Sequence, residues 1–484
     1  MASLKKMTTR SITRDKEAAD CSSLQGVESF AVCDGGLSSN EEKKLLRKID
    51  RWIMPLLMVS YLLQFLDKQT LNFASVMGMI QDLVRFTLLE NPTTFPECSI
   101  FYLGYLAFCY PASYLMVRLP LGKYLSATCV VWAVILTCHA ATSNFIGLMV
   151  VRALLGAAEA SISPGFSLTT GMWYKRSEQP LRHGIWFIGN SLAVMFGSLL
   201  AFGIAHIKHS LAPWRWLFII FGVMTLAWAA VLLWYLPDAP NTARFLSEDE
   251  RIRAVDRIRS NQTGMKDNQF KWKQVWEAMT DIKFSSLVFA GLGYNRLQVY
   301  LLQIPLGAVH GIFALGATFI CSRYADCRCI IAGSLCMVSL IGSVLVRYGP
   351  NLGSNLLGLF VFVGYVAGIP LSLSMISSNV AGFTKKAVAS AMMFIAYSAG
   401  NFIGPFLFFP SEAPYYGSGF LATTICFACA ALFIGTLRVL LARENQRRDR
   451  LQSANGTAPS IESTDDFPLT NETDMENLTF RYVL

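Results

Sequence analysis

Stretches of apolar residues long enough to cross a lipid bilayer recur from one end of this chain to the other. They occupy 53–80, 99–117, 124–141, 145–173, 184–207 and 214–236, then 299–321, 329–346, 356–376, 387–409 and 417–441. A shorter stretch, 284–294, precedes the second group. A hydrocarbon core about 30 Å thick takes roughly 20 helical residues to cross, and within it every backbone N–H and C=O must be bonded inside its own segment. Such runs predict helices. Apolar residues make up 53% of the 484 and charged residues only 15%, which excludes an ordinary soluble domain of this size. The expected fold class is an all-α polytopic membrane protein.

Charge sets its orientation. Lys and Arg gather before Trp52, at Arg118 and Lys123, at Lys175, Arg176 and Arg182, through 237–283, at Arg323 and Arg328, at Lys385 and Lys386, and after Leu441. The alternate connections hold Ser143 and Asn144, a lone Lys208, a lone Arg347, and Glu412. Basic loops stay on the cytoplasmic side, so both termini are expected there. Two cytoplasmic termini require an even number of crossings, yet the full-length runs number six and then five.

An internal repeat locates the discrepancy. Phe187-Ile188, Ser191, Gly197 and Leu200 recur with the same spacing as Phe394-Ile395, Ser398, Gly404 and Leu407, 207 positions on; Arg118 and Lys123 recur as Arg323 and Arg328, 205 positions on. Two halves of six helices fit this offset. From Ile53 to Arg118 is 65 positions, but from Phe284 to Arg323 only 39, a deficit of about one membrane helix. The seventh helix is therefore expected to be truncated, leaving about 11 full spans. The resulting division is an N-terminal tail (1–51), a six-helix half (52–236), a central loop (237–283), a second half with an incomplete first helix (284–441) and a C-terminal tail (442–484). Residues 1–46 are polar, so insertion is expected to begin at the first run. The Ser247-Glu248-Asp249-Glu250 start followed by Arg251, Arg253, Arg257 and Arg259 predicts a short surface helix in the central loop. Residues 452–484, rich in Ser, Thr and acids, are expected to be disordered. The 12 cysteines are scattered and read as small buried thiols, with no metal or cofactor implied.

Charge inside the spans narrows the function. Arg152 and Glu159 stand seven positions apart in the 145–173 run, so they share one helix face about 10 Å apart. A charged group near the middle of a bilayer costs on the order of 3 kcal/mol on insertion scales and usually marks a pathway or relay. The alternative is an ion pair that braces two helices. Asp67 and Lys68 interrupt the first run near its middle, with Gln64 close by; the alternative there is a helix that ends at Leu66 and lets the charges snorkel. Asn190 and Asn401 lie in glycine-rich runs beside Gly189, Gly197, Gly400 and Gly404 and suit either helix packing or substrate contact. Tyr397 joins them as a candidate for substrate contact. His310 either carries a proton or bonds a backbone carbonyl. No paired intramembrane aspartates or histidine cluster point to an enzyme.

Several motifs together are specific. Arg152-Ala-Leu-Leu-Gly156, Glu159, Ser163-Pro164-Gly165-Phe166, Met172-Trp173-Tyr174-Lys175-Arg176 and Glu178-Gln179-Pro180-Leu181-Arg182 resemble the fungal allantoate permease group. Pro120-Leu121-Gly122-Lys123, Ser377-Ser378-Asn379-Val380-Ala381-Gly382 and the terminal Phe480-Arg481-Tyr482-Val483-Leu484 extend the resemblance from about Leu45 to Leu484. That group belongs to the anion:cation symporter family of the major facilitator superfamily. The resemblance implies a major facilitator fold and proton-coupled uptake of a small organic anion (allantoate, nicotinate, pantothenate or similar) by alternating access. Its partners are then the substrate, protons and lipid. It implies a plasma-membrane monomer that binds no nucleic acid and needs no cofactor. By position, Asp67 and Glu159 would carry protons, and Lys68 and Arg152 would face the substrate carboxylate. The chain departs from the group at Cys109, where a glutamate usually precedes the Tyr-Pro of the second helix. A nutrient sensor on the same fold and an inactive truncated form are the alternatives.

Overall fold

The computed structural model describes residues 39–84, 95–207, 209–259, 261, 300–407, 412, 417–454 and 473–484. Every regular element among them is helical. α1 (Ser39–Val76) and a short α2 (Met79–Val84) lead to α3 (Phe95–Arg118), α4 (Leu121–Cys138), α5 (Phe145–Glu159), α6 (Ile162–Trp173), α7 (Gln179–Phe187), α8 (Gly189–Ala205) and α9 (Pro213–Tyr235). The central loop carries α10 (Glu248–Arg259). The second half holds α11 (Tyr300–Arg323), α12 (Arg328–Tyr348), α13 (Leu352–Phe362), α14 (Gly368–Asn379), α15 (Phe383–Ile403) and α16 (Gly417–Ala454).

Nine segments among the described residues are long and apolar enough to cross a bilayer, with α5–α6, α7–α8 and α13–α14 each forming one span. Six of the nine precede α10. α11 and α15, of 24 and 21 residues, pack among them. Large apolar side chains point outward, with Ile146, Phe202 and Trp234 exposed by 69, 67 and 81%. Water disfavours such a surface and lipid accepts it. The stretch 284–294, read as the remnant of a seventh helix, lies outside the described residues.

Local chemistry explains where several helices begin. The Asn144 side chain accepts from Gly147 N at 2.7 Å and caps α5. Asn351 and Ser354 form a reciprocal capping box at α13. Ser247 and Glu250 do the same at α10, with bonds of 2.9 and 3.3 Å, so the surface helix expected in the central loop is present. Its Arg257 is buried and pairs with Glu178 and Glu42, which ties the loop to the basic end of the bundle. Between α14 and α15 the chain turns at Gly382, whose φ of 84° favours glycine.

One alternative and one expectation are overturned. α1 does not end at Leu66 but runs unbroken through it, so Asp67 and Lys68 sit in the interior of a helix. Its 38 residues extend about 57 Å, and the surplus over the bilayer is the polar first turns, Ser39 to Asp50, projecting from the basic end. The end of the tail is also ordered. Thr473, Asp474, Phe480 and Tyr482 are all buried against the bundle, because partners distant in sequence satisfy their polar groups.

α3 and α5 cross with their backbones nearly touching. A methyl group on Gly156 would lie 1.9 Å from the Phe101 carbonyl oxygen, and one on Gly104 would lie 2.0 Å from that of Ala153. Neither backbone atom can swing aside as a side-chain tip could. Gly156→Ala is therefore expected to destabilise the bundle by about 1–3 kcal/mol, the usual scale of overpacking. Size-exclusion of heated, detergent-solubilised protein measures this as a lowered midpoint. Gly203→Ala is the control, since nothing lies within 4 Å of its methyl position. Equal midpoints for the two variants would contradict the crossing.

Candidate functional site

α1 and α5 bring four ionisable side chains into the interior of the first half. Asp67 and Glu159 are fully buried, and Arg152 is 2% exposed. Lys68 Nζ lies 3.5 Å from Glu159 Oε2 and within 5.6 and 5.9 Å of the ring centres of Phe101 and Tyr105. The charges of Lys68 and Arg152 act on both carboxylates. Among the described residues the carboxyl oxygens of Asp67 have no partner within hydrogen-bond distance and angle, although the Trp132 indole N–H faces Asp67 and the Gln64 amide faces Glu159. A buried polar group without a partner calls for a specific explanation, because removal from water costs free energy that no contact returns. Behind this cluster His139 is held by the Ile135 carbonyl at 2.9 Å and stacks on Phe218.

A cavity of about 20 Å³, counted as room for the centre of a water-sized sphere, adjoins the cluster. Tyr61, Gln64, Lys68, Tyr105, Asn190 and Tyr397 line it. That room holds about one water molecule and no organic anion. Asn190 Oδ1 is buried there without a hydrogen-bond partner. Asn401 is not among the lining residues; its amide donates to the Tyr397 carbonyl of its own helix at 2.8 Å. Asp67, Arg152 and Glu159 stand behind the lining, so Lys68 is the cation that reaches the cavity. His310 is buried, with its ring 5.8 Å from Phe187 and its Nε2 unbonded.

The two halves meet along α3 and α15. Tyr102 packs on Tyr397 and Tyr105 on Phe394, and the Cys109 thiol donates to the Ala391 carbonyl at 3.2 Å. Where the resemblance leads one to expect a carboxylate, this chain thus has a thiol bonded across the two halves. At the basic end the closure is polar. Ser167 and Ser377 hydroxyls lie 3.1 Å apart, Ser378 donates to Gln179 Oε1 at 2.8 Å, and Arg328 donates to Ser378 at 2.6 Å and to the Arg176 carbonyl. Burial, with the Arg328 charge beside it, pushes Arg176 down to about 9.

The sequence profile of the Major Facilitator Superfamily matches residues 57–405. The chain belongs to the major facilitator superfamily. Its relatives place it in the allantoate permease group. An uncharacterized transporter of Schizosaccharomyces pombe is 36% identical, over 94% of this chain and 90% of that protein. The allantoate permease of Saccharomyces cerevisiae is 31% identical, over 93% and 88%. The thiamine pathway transporter of the same yeast is 32% identical, over 91% and 86%. Among solved structures, the proton:xylose symporter XylE bound to 6-bromo-6-deoxy-D-glucose superposes with a TM-score of 0.62 at 13% identity, covering 83% of this chain and 96% of that one. That likeness shows a major facilitator fold. The first of these alignments runs over 481 positions but takes in 94% of 484 residues, about 455, so about 26 positions face gaps in this chain.

In this superfamily member the fold brings the sequence candidates Lys68, Asn190 and Tyr397 to one cavity, together with Tyr61 and Tyr105, which are not among those candidates. Tyr61 was within reach: Tyr61, Gln64 and Lys68 follow at i, i+3 and i+7 on α1 and so share a face. Tyr105 sits among many aromatics of α3, and no local pattern marks it.

Proposed function

We propose that this major facilitator protein is a secondary active transporter that takes up a small organic anion with a proton, by alternating access between its halves. The observation that carries the reading is the sharing of Lys68 between the cavity and Glu159. Fully ionised, Asp67, Glu159, Lys68 and Arg152 sum to zero charge. A substrate carboxylate entering the cavity adds one negative charge, and neutrality returns when one carboxyl takes a proton. Lys68 and Glu159 at 3.5 Å attract each other by about 5 kcal/mol at an effective dielectric constant of 20, and a second anion at similar distance is repelled by Glu159 on the same scale. Protonating Glu159 removes both terms and frees Lys68 for the substrate. Proton and anion are then bound together or not at all.

The basic loops favour cytoplasmic termini, and the allantoate permease among the relatives makes allantoate a first substrate to test. A cavity with room for about one water fits a cycle in which the halves part to admit substrate. Uptake of a carboxylate and of its neutral amide into cells expressing the chain, measured from pH 5 to 8, tests the reading. Accumulation of the carboxylate alone, rising as external pH falls, is expected. Equal uptake of the two compounds, or none of either, would count against transport of anions.

A second reading, an inactive form lacking most of a seventh helix, is favoured by the deficit between Phe284 and Arg323, a deficit that the unmatched alignment positions equal in number. Sequencing the transcript decides it. About 25 further codons between Lys283 and Phe284 are expected in the dominant message, and an intact frame joining those two residues would rule them out.

A further inference from the structure

We infer that residues 473–484, anchored by Asp474, form a latch on the basic end, and that this latch must let go of Arg176 for that end to open. This rests on the alternating-access reading. Asp474 is 1% exposed, and its Oδ1 accepts from Lys385 Nζ at 2.9 Å and from Ala381 N at 3.2 Å, while its Oδ2 accepts from Tyr482 at 2.8 Å. Arg448 of α16 closes the loop from behind, donating to the carbonyls of Asp474 and Phe480 at 2.9 and 2.8 Å. Asn379, at the end of α14, grips Val483 by both amide groups at 2.7 and 2.8 Å, and Arg328 N donates to the Leu484 carbonyl at 3.0 Å. All of these partners belong to the second half.

Among the described residues, one of the first half bonds the same segment. Arg176 donates to the Arg481 carbonyl at 2.9 Å, and its guanidinium lies 4.0 Å from the centre of the Phe480 ring. Phe480 is fully buried. Among the described residues the segment is thus bound to the second half by a buried ion pair and a series of hydrogen bonds, and to the first half through one guanidinium. When the halves separate at this end, the weaker attachment gives way: the segment stays on α14 and α15, and Arg176 leaves. Because Asp474 fixes Tyr482 and the turn that presents Phe480, it sets how firmly Arg176 is held although it touches neither Arg176 nor the cavity.

Hydrogen exchange of the full-length protein in nanodiscs, followed by mass spectrometry, tests the latch without requiring transport. Removing one partner of a buried pair strongly favours local opening, so Asp474→Asn is expected to raise exchange at 174–183 and 374–386 on the order of 10- to 100-fold, with α4 and α9 unchanged. Faster exchange confined to 473–484 would overturn the proposal. Should Asp474→Asn exchange everywhere, Phe480→Ala, which removes only the seat of Arg176, is the deciding variant. Local loosening at 174–183 supports the latch there, and wild-type exchange overturns it. A chain that transports nothing yet loosens in this way keeps the latch and loses only the transport reading.

Discussion

Glu159→Gln is expected to abolish pH-driven accumulation of substrate while leaving exchange of internal for external substrate measurable. Glutamine has the shape of a protonated glutamate and cannot give up the proton. In the variant Lys68, held 3.5 Å from Glu159 in the wild type, is permanently released to the cavity. The substrate then binds equally well at any pH, and the carrier can shuttle loaded but has no proton to release. Loading vesicles and measuring both exchange and net uptake under an imposed pH gradient separates the two. Net accumulation with wild-type pH dependence would remove Glu159 from the coupling. Asp67→Asn is the companion variant, since Asp67 is equally buried but does not line the cavity.

Lys68→Met should produce the next largest effect. It keeps the length of the side chain and its packing on Phe101 and Tyr105 but removes the charge at the cavity wall. A charge-assisted hydrogen bond contributes about 1.5–3 kcal/mol, so apparent affinity for a carboxylate should fall roughly 10- to 150-fold, with little change for the neutral amide. Arg152→Lys should behave differently. Arg152 stands behind the cavity lining, and the ammonium retains its charge but loses the planar fork, so a smaller loss shared by carboxylate and amide is expected. A carboxylate-selective loss in Arg152→Lys, with Lys68→Met unaffected, would reverse the two roles.

That the chain is helical and lies in a membrane was legible before any folding, because span length and apolar content are properties of a single segment and need no partner. So were the polar residues to weigh, since Asp67, Lys68, Arg152 and Glu159 each interrupt a run in which charge is expensive. The chain's family could be read from motifs that the fold keeps close in sequence. Pairing was decided only by tertiary structure. Arg152 and Glu159 share a helix, which made them the natural pair, yet Glu159 is met by Lys68 from α1, because the α1–α5 packing and not helical periodicity sets which side chains come within 4 Å. The alternative of a helix ending at Leu66 falls for a similar reason: two adjacent charges suit a helix end unless neighbouring helices supply the opposite charges. The tail misled most. Its polar composition reads as unfolded chain, and what orders it are Lys385, Asn379 and Arg448, whose bonds to Asp474 and Val483 span 26 to 104 positions. Burial of a polar group depends on partners that only the closed fold delivers.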